Sequence, residues 1–108
     1  MNPPVTQRPR ARIDLLEQFI YFSEQSSVAL AERYFAAIDQ TCLRLVKHPR
    51  SGALYESGIA RLSSLRRLPV ISFDNYLIFY LTHDNGIEVI RVLHAARDIE
   101  STFAEEEG

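Results

Sequence analysis

The 108-residue chain has no tryptophan, one methionine, four glycines and a single cysteine, Cys42. One cysteine cannot form a disulfide within the chain, and no group of His and Cys residues has metal-ligand spacing, so we expect a reducing compartment, no metal site and no cofactor. No apolar run approaches the roughly 18 residues that a membrane span needs, and the opening MNPPVTQRPR has no apolar core of a signal peptide. We therefore expect a cytoplasmic protein with neither a membrane nor a small-molecule ligand as partner.

Lysine is scarce as well, because eleven of the twelve cationic residues are arginines, and the formal net charge is −2. A chain with a net negative charge is a poor generic binder of nucleic acid. Arginine suits planar partners such as carboxylate or phosphate, although most surface charges only contact solvent. The length and the 46% hydrophobic content predict a single globular domain over residues 1–108.

Two amphipathic helices are predicted in the first half of the chain. Pro9 suits a first helical position, and the segment RARIDLLEQFIYFSEQ that follows has apolar residues at helical spacing. Ser26 and Ser27 break this helix and offer a cap for the next, which ends near KHP at 47–49. The short connection predicts an antiparallel hairpin. The first helix is expected to bury Ile13, Leu15, Leu16, Phe19, Ile20 and Phe22 and to leave outside Asp14, Glu17, Gln18 and Glu24.

Strands are predicted on both sides of this hairpin. VTQR at 5–8 reads as a short edge strand, and β-branched and aromatic residues predict three more strands in RLSSLRRLPVI, NYLIFYLTH and IEVIRVLH. Asn85-Gly86 fits a tight turn between the last two. We therefore predict an α+β fold: a short N-terminal strand, an antiparallel helix hairpin packed on a three- to four-stranded antiparallel sheet, and a short C-terminal helix at 98–104.

The predicted sheet is apolar on both faces, whereas a half-solvated sheet would alternate polar and apolar residues. Two helices can cover only one face of a small sheet. The other face is therefore covered either by another polypeptide or by the C-terminal segment folding back over it.

The order and spacing of four segments resemble the ParE branch of the ParE/RelE toxin superfamily: ARIDLLEQFIYFSE, LRLVKHPRSG, NYLIFY and IEVIRVLHAARDI. The resemblance implies a RelE/ParE-like fold and the toxin half of a bacterial type II toxin-antitoxin pair. It also implies neutralisation by a cognate antitoxin, which wraps the toxin in a hetero-oligomer and alone contacts DNA. The residues expected to bind the antitoxin are Tyr76, Ile78, Tyr80, Ile90 and Val92.

The target divides this superfamily, and the fold alone does not decide it. RelE-like nucleases carry an arginine where this chain has Leu77 and a tyrosine where it has Phe103. We therefore expect a non-enzymatic toxin that binds DNA gyrase and arrests growth. The contact candidates, chosen because arginine is common in interface hot spots, are Arg66, Arg67, Arg91 and Arg97.

Two alternatives stay open. One is a ribosome-dependent mRNA endoribonuclease of RelE type that uses Arg66, Arg67, Arg91, His94 and Arg97. The other is a weakly toxic homologue that is retained for antitoxin binding and autoregulation. His94 alone is a weak catalytic signal, since a catalytic histidine needs an identifiable partner. We expect it to end a strand and hydrogen-bond locally, and Asp98 to begin the C-terminal helix.

Overall fold

The computed structural model describes residues 4–107, which form a five-stranded sheet, three helices and a short 3₁₀ turn. The elements in chain order are β1 (Val5–Gln7), α1 (Pro9–Gln25), α2 (Val28–Lys47), β2 (Ala53–Leu54), the 3₁₀ turn (Ala60–Leu62), β3 (Arg66–Val70), β4 (Phe73–His83), β5 (Gly86–His94) and α3 (Ile99–Glu107).

The strand order is β1-β5-β4-β3-β2, and every pairing is antiparallel except that of β1 with β5. The predicted α+β fold is confirmed, with two differences: the sheet has five strands, and β1 is parallel to its neighbour. A parallel pairing requires a long connection between the two strands, and the helix hairpin and three strands between β1 and β5 supply one. The fifth strand, β2, has only two residues, too few to give a sequence signal.

Helix α1 begins at Pro9 as predicted, but its buried face differs from the prediction. Ala11, Asp14 and Leu15 are buried, whereas Ile13, Leu16 and Ile20 are 44%, 58% and 47% exposed. The expectation that Asp14 lies outside, and that these three apolar residues lie inside, is wrong. The reason is that α1 packs against both α2 and the edge of β5, and that edge presents backbone groups that need polar partners.

The edge of β5 is covered by side chains of α1 where β1 ends. Strand β1 pairs only with residues 87–89. Farther along, the Val92 amide donates to Asp14 Oδ2 at 3.1 Å and the Val92 carbonyl accepts from Gln18 Nε2 at 2.8 Å. Asp14 also accepts two hydrogen bonds from Arg91, at 2.7 and 2.9 Å. The Tyr34 hydroxyl donates to Gln18 Oε1 at 2.5 Å and so holds this side chain in place. The side chains of Asp14 and Gln18 therefore satisfy the backbone groups of Val92, as a neighbouring strand would.

The second face of the sheet is covered by the chain itself. Residues 59–65 and α3 pack there, with Ile59, Leu62, Leu65 and Phe103 all buried. The Phe103 ring packs edge-to-face on the Phe79 ring, with 5.2 Å between the centroids. Of the two predicted covers, the C-terminal segment is therefore the right one, aided by residues 59–65. No second polypeptide is needed on this face of the described chain.

The turns also differ slightly from the prediction. His83 pairs with Gly86, so the two turn residues between β4 and β5 are Asp84 and Asn85 rather than Asn85-Gly86. A Cβ on Gly86 would lie 2.0 Å from the Pro4 carbonyl oxygen, which explains the glycine. Helix α3 extends to Glu107, beyond the predicted end at 104. No helix within residues 4–107 has the length and apolar character to cross a bilayer.

The Asp14→Ala substitution is expected to lower the free energy of unfolding by about 3–5 kcal/mol, because it leaves the Arg91 guanidinium buried without its carboxylate. Urea denaturation checks this. The matched control is Glu24→Ala, which removes an exposed carboxylate of the same helix and should change stability by less than about 0.5 kcal/mol. A loss at Asp14 no larger than at Glu24 would contradict the stabilising role of the pair.

Ionised Asp98 should stabilise the first turn of helix α3. Hydrogen bonds from the Ser101 amide and hydroxyl lower the pKa of the Asp98 carboxyl. Its contribution is therefore present above the pKa of the unfolded chain and is lost as the pH falls through the lower, folded pKa. Hydrogen exchange of α3 amides should accelerate below about pH 4, relative to the intrinsic exchange rates. Asp98→Asn, which caps without titrating, should remove this acid-induced step, and an identical step in that variant would contradict the assignment.

Candidate functional surfaces

The first candidate surface is the cationic edge, defined as Arg50, Arg66 and Arg67, beside β2 and β3. Arg66 Nη1 donates to the carbonyl oxygens of Gly52 at 2.7 Å and Arg50 at 3.3 Å. The carbonyls of the loop that follows α2 therefore hold the Arg66 guanidinium in place. Arg50, in the same loop, is exposed.

Tyr80 fixes this loop from inside the core. Its hydroxyl donates to the Pro49 carbonyl at 2.8 Å and accepts from the Gly52 amide at 2.9 Å. A Cβ on Gly52 would lie 2.5 Å from that hydroxyl oxygen, so only glycine allows the close approach. Burial, the largest influence, raises the pKa of Tyr80, which keeps the hydroxyl protonated and able to donate. The position of Arg66 thus depends on a buried tyrosine.

Arg67 projects to the opposite face of the sheet from Arg66, because consecutive strand residues alternate. Its guanidinium lies 5.4 Å from the centroid of the Tyr55 ring, a cation–π distance. Tyr55 in turn packs on Phe79. The two arginines therefore flank the edge of the sheet rather than form one pocket.

The second candidate surface is the C-terminal cleft, an open cavity of about 200 Å³ where β5 ends against α1. Its walls are Glu17, Tyr21, Tyr76, His94 and Arg97, and its floor is Asp14 and Gln18. His94, the last residue of β5, lies in the cleft. A turn follows in which the Arg97 amide donates to the His94 carbonyl at 3.0 Å, and this turn places Arg97 in the cleft as well.

His94 hydrogen-bonds locally, as predicted, and this fixes its ring. Its Nδ1 accepts from the Ala96 amide at 3.0 Å, and its ring packs edge-to-face on Tyr76 at 4.9 Å. Because an Nδ1 that accepts carries no proton, the neutral ring has its proton on Nε2. Burial, and then the nearby Tyr21, raise the pKa of Tyr76. The Tyr76 hydroxyl therefore stays protonated at neutral pH and can donate a hydrogen bond.

The third candidate surface is the α1 stripe, defined as Ile13, Leu16 and Ile20, which recur at helical spacing on the exposed side of α1. Leu16 and the partly exposed Phe35 of α2 line a cavity of about 350 Å³ beside the stripe. Exposed apolar residues in a row, rather than scattered, are typical of a protein-binding surface. The next exposed residues of α1 along this side, Glu17 and Tyr21, lead into the C-terminal cleft.

The five residues of the nuclease alternative do not come together. Arg91 is buried and paired with Asp14, with side-chain exposures of 2% and 1%. Arg66 pairs across the sheet with Tyr80, and His94 with Tyr76. Four residues along β4 and two strand spacings separate these positions, about 16 Å from strand geometry. Only His94 and Arg97 share a cleft.

Burial removes most of the residues expected to bind an antitoxin. Ile78, Tyr80 and Val92 lie in the core beneath α1 and α2, and Ile90 lies in the core beneath α3. Only Tyr76 is partly exposed. Arg91 is also buried, so it is not available for contact with a target. These positions are apolar or paired because both faces of the sheet are covered within the chain.

Asp14 and Gln18 are the residues that the sequence interpretation missed. A signal was present in β5, where Arg91 stands in the middle of the apolar run at 89–93. A charge in a strand that is buried on both faces requires a buried partner. Asp14, on the helix predicted to pack on that sheet, was available for that role. Among residues 4–107, no group of three potential ligands could hold a metal ion.

The sequence of this chain matches a known protein family, and its fold matches a solved structure. The family model described as the ParE toxin of the type II toxin-antitoxin system parDE matches residues 5–99. Among solved structures, a chain of the chromosomal ParDE toxin-antitoxin system from P. aeruginosa matches with a TM-score of 0.66 and 14% identity, covering 83% of this chain and 92% of that one. At that identity the likeness shows the fold alone. No curated protein sequence matches significantly.

Removing the Tyr80 hydroxyl should loosen the loop that carries Arg50 and orients Arg66. Tyr80→Phe leaves the Pro49 carbonyl and the Gly52 amide without a partner, which should lower the free energy of unfolding by about 1–3 kcal/mol. It should also speed hydrogen exchange at Gly52. Tyr21→Phe, which removes a solvent-exposed hydroxyl, is the control and should do neither. Equal effects of the two substitutions would show that Tyr80 does not hold the loop.

Proposed function

The chain belongs to the ParE toxin family of type II toxin-antitoxin systems, and from this premise we propose that it arrests growth by binding DNA gyrase and is neutralised by a cognate antitoxin. The observation that carries the binding mode is the separation of Arg66, Arg67, Arg91 and Arg97. Cleavage of a phosphodiester requires cations and proton-transferring groups within reach of one phosphate. These arginines do not meet that requirement, because Arg66 and Arg67 project to opposite faces of one strand, Arg91 is buried and Arg97 lies in a separate cleft.

The filling of the second sheet face supports the same proposal. Leu77 and Phe103, which stand where RelE-like nucleases carry an arginine and a tyrosine, both contribute to the core beneath α3. Phe103 is fully buried against Phe79. Neither residue can hold a phosphate or transfer a proton, and aromatic packing leaves no room for a substrate there.

The cationic edge is the surface we assign to gyrase. Arg50 and Arg67 are exposed and Arg66 is half-buried. Tyr80 and the loop carbonyls hold Arg66 in one geometry, so less conformational entropy is lost when it binds a partner. Arg91 is excluded from this surface by its burial, and Arg97 by its distance.

The α1 stripe is the surface we assign to the antitoxin. The buried residues Ile78, Tyr80, Ile90 and Val92 are replaced in this role by the exposed Ile13, Leu16 and Ile20. Their spacing suits an amphipathic helix laid along α1, a common mode of recognition between a helix and an apolar groove. Contact with DNA is left to the antitoxin.

For the nuclease alternative, the C-terminal cleft is the remaining candidate site among the described residues, because His94 and Arg97 both line it. The cleft has one arginine, whereas a nucleic-acid site needs several cations along the strand. The third reading, a weakly toxic homologue, remains as an outcome of the experiment that follows.

Purified toxin should abolish supercoiling of relaxed plasmid by gyrase and cause cleaved DNA to accumulate, and the antitoxin from the adjacent gene should restore supercoiling. The double substitution Arg66→Gln, Arg67→Gln should raise the inhibitory concentration at least about tenfold, because interface arginines commonly contribute more than 1 kcal/mol each. Arg10→Gln, which neutralises an exposed arginine in the first turn of α1, is the matched control.

Other results of this assay distinguish the alternatives. Undisturbed supercoiling together with mRNA cleavage in a translating extract would replace gyrase with the ribosome. Undisturbed supercoiling, intact mRNA and normal growth on expression would support the weakly toxic homologue. Inhibition that is unchanged in the Arg66, Arg67 variant would keep gyrase as target but remove the cationic edge as its contact surface.

A further inference from the structure

The walls of the C-terminal cleft carry more hydrogen-bond donors than the chain itself uses. The hydroxyls of Tyr21 and Tyr76 and the guanidinium of Arg97 have no hydrogen-bond partner within the part of the chain that the structure describes. His94 has its Nδ1 occupied by the Ala96 amide, which leaves Nε2 as a fourth donor. Convergent donors of this kind are typical of a site for an acceptor group.

The floor of the cleft does not compete for these donors. Asp14 accepts from Arg91 and from the Val92 amide. Gln18 donates to the Val92 carbonyl and accepts from Tyr34. Both side chains are therefore held by hydrogen bonds within the chain, and among the described residues none of these bonds comes from Tyr21, Tyr76, His94 or Arg97.

The size of the cleft and its single arginine favour one acidic side chain over a nucleic-acid strand. Its volume of about 200 Å³ suits a single side chain. A nucleic-acid site needs a track of several cations, whereas this cleft has one arginine and also the carboxylate of Glu17. A planar carboxylate accepts from a guanidinium and from hydroxyl and imidazole donors together.

The cleft continues directly from the α1 stripe. Ile13, Leu16 and Ile20 occupy one side of α1, and Glu17 and Tyr21 carry that side into the cleft. From Ile13 to Tyr21 the helix rises about 12 Å. The stripe at 13–20 and the α1 side of the cleft at 14–21 therefore span the same two turns, so a helical segment whose apolar residues lie on the stripe presents a side chain of its flank to Arg97 and His94.

We propose that the C-terminal cleft is a socket for one Asp or Glu side chain of an amphipathic helical segment whose apolar residues lie on the α1 stripe. The inference rests on the proposed function in one respect, because the owner of this segment is taken to be the neutralising antitoxin. Arg97 and the Nε2–H of His94 bind the carboxylate, and the hydroxyls of Tyr21 and Tyr76 complete its hydrogen bonds. The stripe supplies apolar area, and the socket sets the register and direction of the segment.

The test measures binding of the antitoxin encoded by the adjacent gene to the full toxin by titration calorimetry. Arg97→Gln should raise the Kd about 10- to 100-fold, Tyr21→Phe should raise it less, and the control Arg10→Gln should leave it unchanged. Leu16→Glu should abolish binding by placing a charge on the stripe. Thermal unfolding of each variant by circular dichroism verifies that these exposed substitutions leave the fold intact.

A double-mutant cycle then identifies the carboxylate. Each Asp and Glu of the antitoxin is changed to its amide in turn, and one of them should couple to Arg97, so that Arg97→Gln has less than about a threefold effect once that residue is an amide. If the antitoxin binds but no acidic residue couples, the socket is refuted while the proposed function stands. Gyrase inhibition that depends on Arg97, with antitoxin binding that does not, would overturn the socket and give the cleft to the target. If the unmodified toxin does not bind the antitoxin, the proposed function fails together with the socket.

Discussion

The buried pairing of Asp14 with Arg91 determines how the rest of the molecule is arranged. A carboxylate that accepts two hydrogen bonds from a guanidinium and one from the Val92 amide fixes α1 in both rotation and height against β5. Removing either partner would leave the other buried charge without its opposite charge, which is why the arrangement is strongly specified. Because Asp14 faces inward, Ile13, Leu16 and Ile20 must face outward. The polar interaction in the core and the apolar stripe on the surface have the same origin.

The second determining feature is the cover that the chain provides for its own sheet. Phe103 and residues 59–65 fill the face opposite the helix hairpin with apolar side chains. Two of the positions at which a nuclease of this superfamily is expected to carry its reacting groups, Leu77 and Phe103, are therefore used for packing. Under our proposal the molecule acts by binding, through the arginines of the cationic edge and the apolar α1 stripe.

These two surfaces are far enough apart to be distinct and close enough to interfere. The backbone of Arg66 lies about 16 Å from that of His94 by strand geometry, and a bound helix has a diameter of about 10 Å. An antitoxin segment on α1 leaves the cationic edge uncovered by direct contact. It would nevertheless stand in the path of a partner as large as gyrase, so neutralisation under our proposal is steric exclusion rather than competition for the same arginines.

Local signals in the sequence were enough to predict most of the elements. Pro9, Ser27 and the period of the apolar residues predicted the beginnings of both helices, and Asp98 predicted the beginning of α3. The order of the predicted elements indicated the α+β fold, and the order and spacing of four segments indicated the family. Each of these depends on contacts within a few residues, which a sequence pattern contains directly.

The location of the functional surfaces was not available from such patterns. In α1, two sets of residues have helical spacing, Ala11, Asp14, Leu15 and Gln18 on one side and Ile13, Leu16 and Ile20 on the other, and hydrophobicity alone selects the wrong one. The choice is made by Arg91 and Val92, which are more than seventy residues away in sequence. Likewise, the sequence showed that the strand with Ile78 and Tyr80 is apolar, but it did not show which part of the chain covers these residues. The sequence by itself therefore determined the elements and the family, and only the tertiary structure decided which faces are buried, because that depends on pairing a distant charge and on where the chain folds back.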